Sequence, residues 1–81
     1  TGARMLSQTL RADLREGDIG SELGAIAQAH PGVTIGSYPF FDEKRGPNTN
    51  VVVRGRDAER LAAAAAAVED MLRRVRAALA R

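Results

Sequence analysis

The chain has 81 residues and a net charge of +2, and it contains no cysteine. This length suits one domain with one modest core, and the lack of cysteine excludes disulfide bonds and thiolate metal sites. So small a net charge does not predict nucleic-acid binding by electrostatics alone, and no segment offers the roughly 18 apolar residues of a membrane span. No signal peptide is recognisable either, so we expect a cytoplasmic protein without membrane contact.

The first half of the chain predicts a strand, a helix and a second strand. Residues 5–15 alternate between apolar and polar side chains, which is typical of a half-buried strand. Apolar residues then recur three and four apart over residues 18–30, and Asp18 is placed to cap this helix. Pro31 ends the helix, and the β-branched residues that follow it predict a strand over 33–38.

The second half predicts a loop, a third strand and a long helix. Residues 42–48 are polar and rich in turn-forming types, so we expect an exposed hairpin loop. Three consecutive valines within 50–54 indicate the most buried strand. Asp57 is placed to cap a helix over 57–79, in which an apolar stripe recurs every three or four residues.

This order of elements predicts an α+β fold, a β-α-β-β-α two-layer sandwich. A right-handed crossover followed by a hairpin favours a three-stranded antiparallel sheet in the order 1-3-2. Both helices are amphipathic, so we expect them to cover the same face of the sheet. Residues 1–81 are therefore interpreted as a single domain.

No combination of residues predicts catalysis, a metal site or a bound cofactor. His30 is the only histidine, and we expect it to interact with the end of the first helix or to cover the edge of the core. The carboxylates occupy capping positions, lie in a loop or precede arginines at helical spacing. We therefore expect no catalytic residue, no metal ligand and no cofactor.

All three aromatic residues of the chain lie within one segment of five residues. The segment consists of Ser37, Tyr38, Pro39, Phe40 and Phe41. One interpretation is that some of these rings cap the core where the strand ends. The functional interpretation is an apolar docking surface for another domain or another copy of the chain, because clustered aromatic side chains favour interfaces.

Two further patterns suggest an anionic ligand. Arginines near the C-terminal end of the last helix, Arg73, Arg74 and Arg76, form either a solvated helix face or a site for phosphate or nucleic acid. Residues 17–20 read Gly-Asp-Ile-Gly, the G-x-x-G pattern with which K-homology domains bind a nucleic-acid backbone. This pattern follows a predicted strand and carries an aspartate, so the start of a helix is the competing interpretation.

Two segments, residues 30–40 (HPGVTIGSYPF) and 50–57 (NVVVRGRD), resemble the C-terminal segment of CinA-like competence/damage-inducible proteins. The Gly-Ser-Tyr-Pro string at residues 36–39 is the most specific part of this resemblance. The resemblance implies a K-homology-like accessory domain without catalysis, preceded in the whole protein by a molybdopterin-binding-type (MoCF-like) domain.

The resemblance also implies partners for the domain. Residues 1–4 would be the connection from the MoCF-like domain. The aromatic residues within 38–41 lead us to expect that the accessory domain docks on that parent domain or mediates self-association of the whole protein. Nucleic-acid binding by a K-homology-like module is the alternative function.

Overall fold

The computed structural model describes residues 4–80, and it contains three strands and two helices in this range. The elements are β1 (Leu6–Arg11), α1 (Glu16–Ala29), β2 (Val33–Asp42), β3 (Gly46–Gly55) and α2 (Ala58–Leu79). The strands form one sheet in the order β1-β3-β2, and β3 runs antiparallel to both neighbours. The predicted α+β fold and its strand order are confirmed.

The first strand is shorter than the predicted 5–15 because the backbone turns sharply after it. Asp13 has φ of 55°, in the left-handed region, which is incompatible with continued extension. The Ala12 N–H still donates to the Thr49 carbonyl at 2.8 Å. The alternation seen in the sequence continues past this bend because Ala12 and Leu14 both enter the core.

The predicted cap of the first helix is wrong. The helix begins at Glu16 with Arg15 as its N-cap residue, and no side chain makes a capping hydrogen bond there. Asp18 lies inside the first turn, where its negative charge is favourable near the positive end of the helix dipole. It also lies 3.7 Å from Arg15 as an ion pair.

The hairpin between β2 and β3 is much tighter than the predicted loop over 42–48. Only residues 43–45 form the turn, because the Asp42 carboxylate accepts hydrogen bonds from the Lys44 and Arg45 N–H groups at 2.8 and 3.1 Å. Gly46 completes the turn with φ of 83°, which glycine adopts without steric cost. The second strand therefore extends through the whole aromatic segment instead of ending at residue 38.

The last helix begins as predicted. The Asp57 carboxylate accepts hydrogen bonds from the Glu59 and Arg60 N–H groups at 2.9 and 3.1 Å, which is the geometry of an N-cap. The buried residues of this helix recur at the predicted three-four spacing; they are Leu61, Ala64, Ala65, Val68, Met71 and Leu72.

One core lies between the sheet and the two helices. The helices contribute residues such as Ile19 and Leu72, and β3 contributes Val51 and Val53 from its inner side. The opposite side of the sheet carries the alternate residues of each strand, and no helix of residues 4–80 covers it. No helix in this range combines the length and the apolar character that crossing a bilayer requires.

Candidate functional site

The aromatic segment lies within β2, so its side chains alternate between the two sides of the sheet. Ser37 pairs with the buried Val51 and therefore belongs to the helix-covered side, together with Pro39 and Phe41. Tyr38 and Phe40 belong to the uncovered side. The structure therefore divides the predicted docking surface between two faces and does not present its five residues together.

The members on the helix side have different environments. The Ser37 hydroxyl donates a hydrogen bond to the Glu16 carboxylate at the start of α1, so it ties β2 to that helix. Pro39 lies on an edge strand, where the missing N–H is tolerated. Phe41 is the second-last residue of β2, next to the hairpin turn, and 73 % of its surface is exposed.

The ring of Tyr38 lies along the uncovered side of its own strand, over Gly36. A Cβ atom at Gly36 would lie 3.1 Å from the Tyr38 hydroxyl oxygen and 3.2 Å from its ring, so glycine makes room for this arrangement. The pairing register places Thr9, Val52 and Gly36 in one row across the three strands, and Asn50 beside Tyr38. We call these five residues the open face.

Phe40 is half-buried and is contacted by an arginine. The Arg11 guanidinium carbon lies 5.5 Å from the centre of the Phe40 ring, within the range of a cation–π contact. Arg11 also donates hydrogen bonds to the carboxylates of Asp13, at 3.0 Å, and of Asp42. Phe40 is therefore part of a polar cluster that joins the end of β1 to the hairpin turn.

Two further members of this cluster, Asn48 and Thr49, are buried. The Asn48 amide nitrogen donates to Asp13 at 3.2 Å, and its amide oxygen accepts from the Thr49 N–H at 2.7 Å. The hydrogen bond from Asn48 is the main cause that lowers the pKa of Asp13 below its ordinary value. The backbone N–H groups of Lys44 and Arg45 lower the pKa of Asp42 in the same way.

Each carboxylate of the cluster is thus engaged by donors of the same chain, which indicates a structural role. Thr49 is completely buried, and its hydroxyl oxygen is the one buried side-chain polar atom among residues 4–80 without a hydrogen-bond partner. Within that range no three histidine, aspartate or glutamate side chains come close enough together to hold a metal ion.

The arginines of α2 that were predicted as an alternative anion site have separate environments. Arg74 contacts Glu22 of α1 at 2.9 Å and Asp70 of its own helix at 3.8 Å. The Arg76 Nε atom donates to the Ala12 carbonyl at 2.8 Å, and Arg73 is exposed. Two of the three thus connect α2 to other elements.

The G-x-x-G pattern at residues 17–20 lies inside α1 and not in a loop between helices. The pattern forms the first turn of a helix that follows a strand, whereas a K-homology loop joins two helices, so the K-homology interpretation of this pattern is not supported. His30 is the C-cap residue of α1, and its N–H donates to the Ala27 carbonyl at 3.4 Å. It lines a cleft of about 210 Å³ beside Pro31 and Arg60.

A larger pocket lies where β3 ends and α2 begins, and sequence reasoning missed it. Its volume is about 320 Å³, and its walls include Arg54, Arg56, Arg60, Asp57 and Met5. The sequence does contain a cluster of arginines at this point, since two arginines flank Gly55 and a third follows in the first turn of a predicted helix. Nothing in the spacing alone shows that the three arginines face one cavity.

A family model described as FAD synthase, middle domain, matches residues 4–78, which is almost the whole chain. No curated protein and no solved structure matches this chain. The resemblance to CinA-like proteins is therefore wrong, and the parent MoCF-like domain that it implied loses its support. A connection from that domain was expected at residues 1–4, and residues 1–3 lie outside the part of the chain that the structure describes.

The string that carried the resemblance has local structural roles. Gly36 makes room for the Tyr38 ring, Ser37 binds Glu16, and Pro39 occupies an edge strand. Such requirements arise from the packing of one hairpin against one helix. The string therefore indicates the local structure and does not distinguish one family from another that shares it.

Proposed function

The chain belongs to the FAD synthase middle-domain family, and from this premise we propose that it is a non-catalytic domain whose open face packs against a neighbouring domain of the synthase. The domain then contributes to the relative placement of the parts of the enzyme. The chemistry of FAD synthesis takes place elsewhere in that polypeptide.

The composition of the open face supports this proposal most directly. An antiparallel sheet with one solvated side normally carries polar and charged residues there. The central row of the open face, Thr9, Val52 and Gly36, carries no charge, although Arg54 and Arg11 lie in the rows on either side, and the neighbouring Tyr38 ring is 51 % exposed. A tyrosine that offers an apolar ring and a hydroxyl group is typical of an interface.

The family description supplies the partner in this proposal. A middle domain has other parts of the same polypeptide next to it, so a neighbouring domain is present at a high effective concentration. A small contact area then suffices for stable packing. The uncharged three-strand row and the exposed Tyr38 ring offer a surface for such a contact.

Cysteine labelling tests this proposal cleanly because the chain contains no cysteine of its own. Thr9→Cys places a thiol on the open face, and Arg73→Cys places a control thiol on the exposed surface of α2. Each variant is labelled with a maleimide as the isolated chain and within the full synthase, and mass spectrometry of the labelled peptide gives the rate. We expect the full synthase to slow labelling of Thr9→Cys about tenfold or more and to leave Arg73→Cys unchanged.

Equal labelling rates of Thr9→Cys in the isolated chain and in the full synthase would contradict the proposal. Protection that already occurs in the isolated chain and grows with its concentration would also contradict it. That result would indicate self-association through the open face.

A further inference from the structure

Three arginine side chains line the pocket at the end of β3. Arg54 is on the uncovered side of the sheet, Arg56 follows Gly55 at the end of the strand, and Arg60 lies in the first turn of α2. The end of β3, the connection after it and the first turn of α2 therefore bring three arginine residues to one pocket of about 320 Å³. The turn from β3 into α2 fixes their relative position.

The Arg60 side chain lies against the backbone of Gly32. A Cβ atom at Gly32 would lie 3.0 Å from the Arg60 Nη1 atom and 3.8 Å from its Cδ atom. Gly32 also has φ of 88°, a conformation that other residues rarely adopt. The loop before β2 thus leaves a space across which the Arg60 side chain lies.

The positive charge of the pocket has little compensation within residues 4–80. None of the salt bridges in this range involves Arg54, Arg56 or Arg60, in contrast to four other arginines of the chain, which are Arg11, Arg15, Arg45 and Arg74. The wall contains one carboxylate, that of Asp57, which caps α2 through two backbone hydrogen bonds, so three arginines face a single acidic group there. Like charges in one pocket repel each other, and an anion would relieve this repulsion.

We propose that Arg54, Arg56 and Arg60 form a binding site for the phosphate group of a small phosphorylated molecule. A planar guanidinium group donates two parallel hydrogen bonds to phosphate oxygens, and several such groups around one cavity match a tetrahedral anion. The cavity is larger than a phosphate group and includes the side chain of Met5, so it has room for an attached apolar or ring moiety. This inference does not depend on docking of the open face.

The test is a titration of the ¹⁵N-labelled chain, with amide shifts recorded by NMR. Inorganic phosphate, inorganic pyrophosphate and adenosine monophosphate are used in separate arms, each at low and at high salt. We expect shifts at Gly32 and at residues 54–57, with affinity that falls as salt rises. Arg56→Gln and Arg60→Gln should each weaken binding about tenfold, the loss expected for a hydrogen bond to a charged group. Arg73→Gln, an exposed arginine elsewhere on α2, is the matched control.

Each outcome decides something. Equal affinity for phosphate and the nucleotide would identify the free anion as a sufficient ligand, while clearly tighter nucleotide binding would identify a nucleoside phosphate. The proposal is overturned if no arm produces shifts at millimolar ligand. Binding that Arg56→Gln and Arg60→Gln leave intact, or that Arg73→Gln weakens equally, overturns it as well.

Discussion

Asp13 joins an unusual backbone conformation to the polar cluster at the end of β1. It is the one non-glycine residue among 4–80 with positive φ, and aspartate tolerates this conformation better than most residues. Its carboxylate accepts hydrogen bonds from Asn48 and Arg11, and Arg45 lies 3.8 Å away. Asp13 thus ends β1 and binds side chains of the hairpin between β2 and β3.

The lowered pKa of Asp13 makes stability depend on pH. A carboxylate with a lower pKa in the folded state stabilises the fold above its unfolded pKa of about 3.9, and this contribution is lost as the pH falls through the folded pKa. We therefore expect the free energy of unfolding to decrease below about pH 4. Urea denaturation over a range of pH measures this change in the free energy of unfolding.

Asp13→Asn separates this charge effect from the backbone effect. Asparagine tolerates positive φ and still offers an acceptor to Asn48, but it does not titrate. We expect a smaller decrease in stability at acidic pH, with part retained because the pKa of Asp42 is also lowered. An unchanged pH profile in this variant would show that Asp13 does not contribute.

At the scale of elements, two glycines of the chain have opposite backbone requirements. Gly46 has φ of 83° at the hairpin turn, while Gly24 lies in the middle of α1 with helical backbone and an exposed surface. A Cβ atom at either position would meet no atom within 4 Å. The same substitution therefore tests backbone conformation alone.

Gly46→Ala should destabilise the protein by about 1–2 kcal/mol, the cost of a left-handed conformation for a residue with a Cβ atom. Gly24→Ala should stabilise it by up to ~1 kcal/mol, because alanine is the better helix former. Thermal and urea unfolding of the two variants measure both values. The same sign for both would contradict the conformations described above.

The sequence predicted the types and the order of the elements because burial alternates along strands and recurs along helices. It predicted their ends less well. Positive φ at Asp13 and the side-chain hydrogen bonds of Asp42 are local features that periodicity does not show. The cap at Asp57 was predicted correctly because its residue type and the following helix agree.

At the scale of the molecule, the candidate sites were harder to predict than the fold. The aromatic segment was visible in the sequence. Its side chains could be assigned to two faces only once it was known that β2 extends to Asp42 and not just to residue 38. The arginine pocket required the loop at Gly32 to lie beside the first turn of α2, which is a tertiary contact. The family was mistaken because a short string with local structural roles does not identify one family.

The elements between residues 4 and 80 share a single core, so they should gain and lose their stability together. Both helices and all three strands contribute to the core or pack against it, and Leu72 belongs to this core with no exposed surface. A domain of this length is stable by roughly 4–12 kcal/mol. Any large cavity in such a core removes a substantial fraction of that free energy.

Leu72→Ala should therefore lower the free energy of unfolding by about 2–5 kcal/mol. Leu79, near the end of α2, is 57 % exposed, so Leu79→Ala should change the free energy of unfolding by less than about 0.5 kcal/mol. Because one core connects all elements, tyrosine fluorescence from Tyr38 on the open face and circular dichroism from the helices should report the same urea midpoint in each variant. Separate midpoints for the two signals would show that the sheet and the helices unfold independently. The single core would then not be the unit of stability.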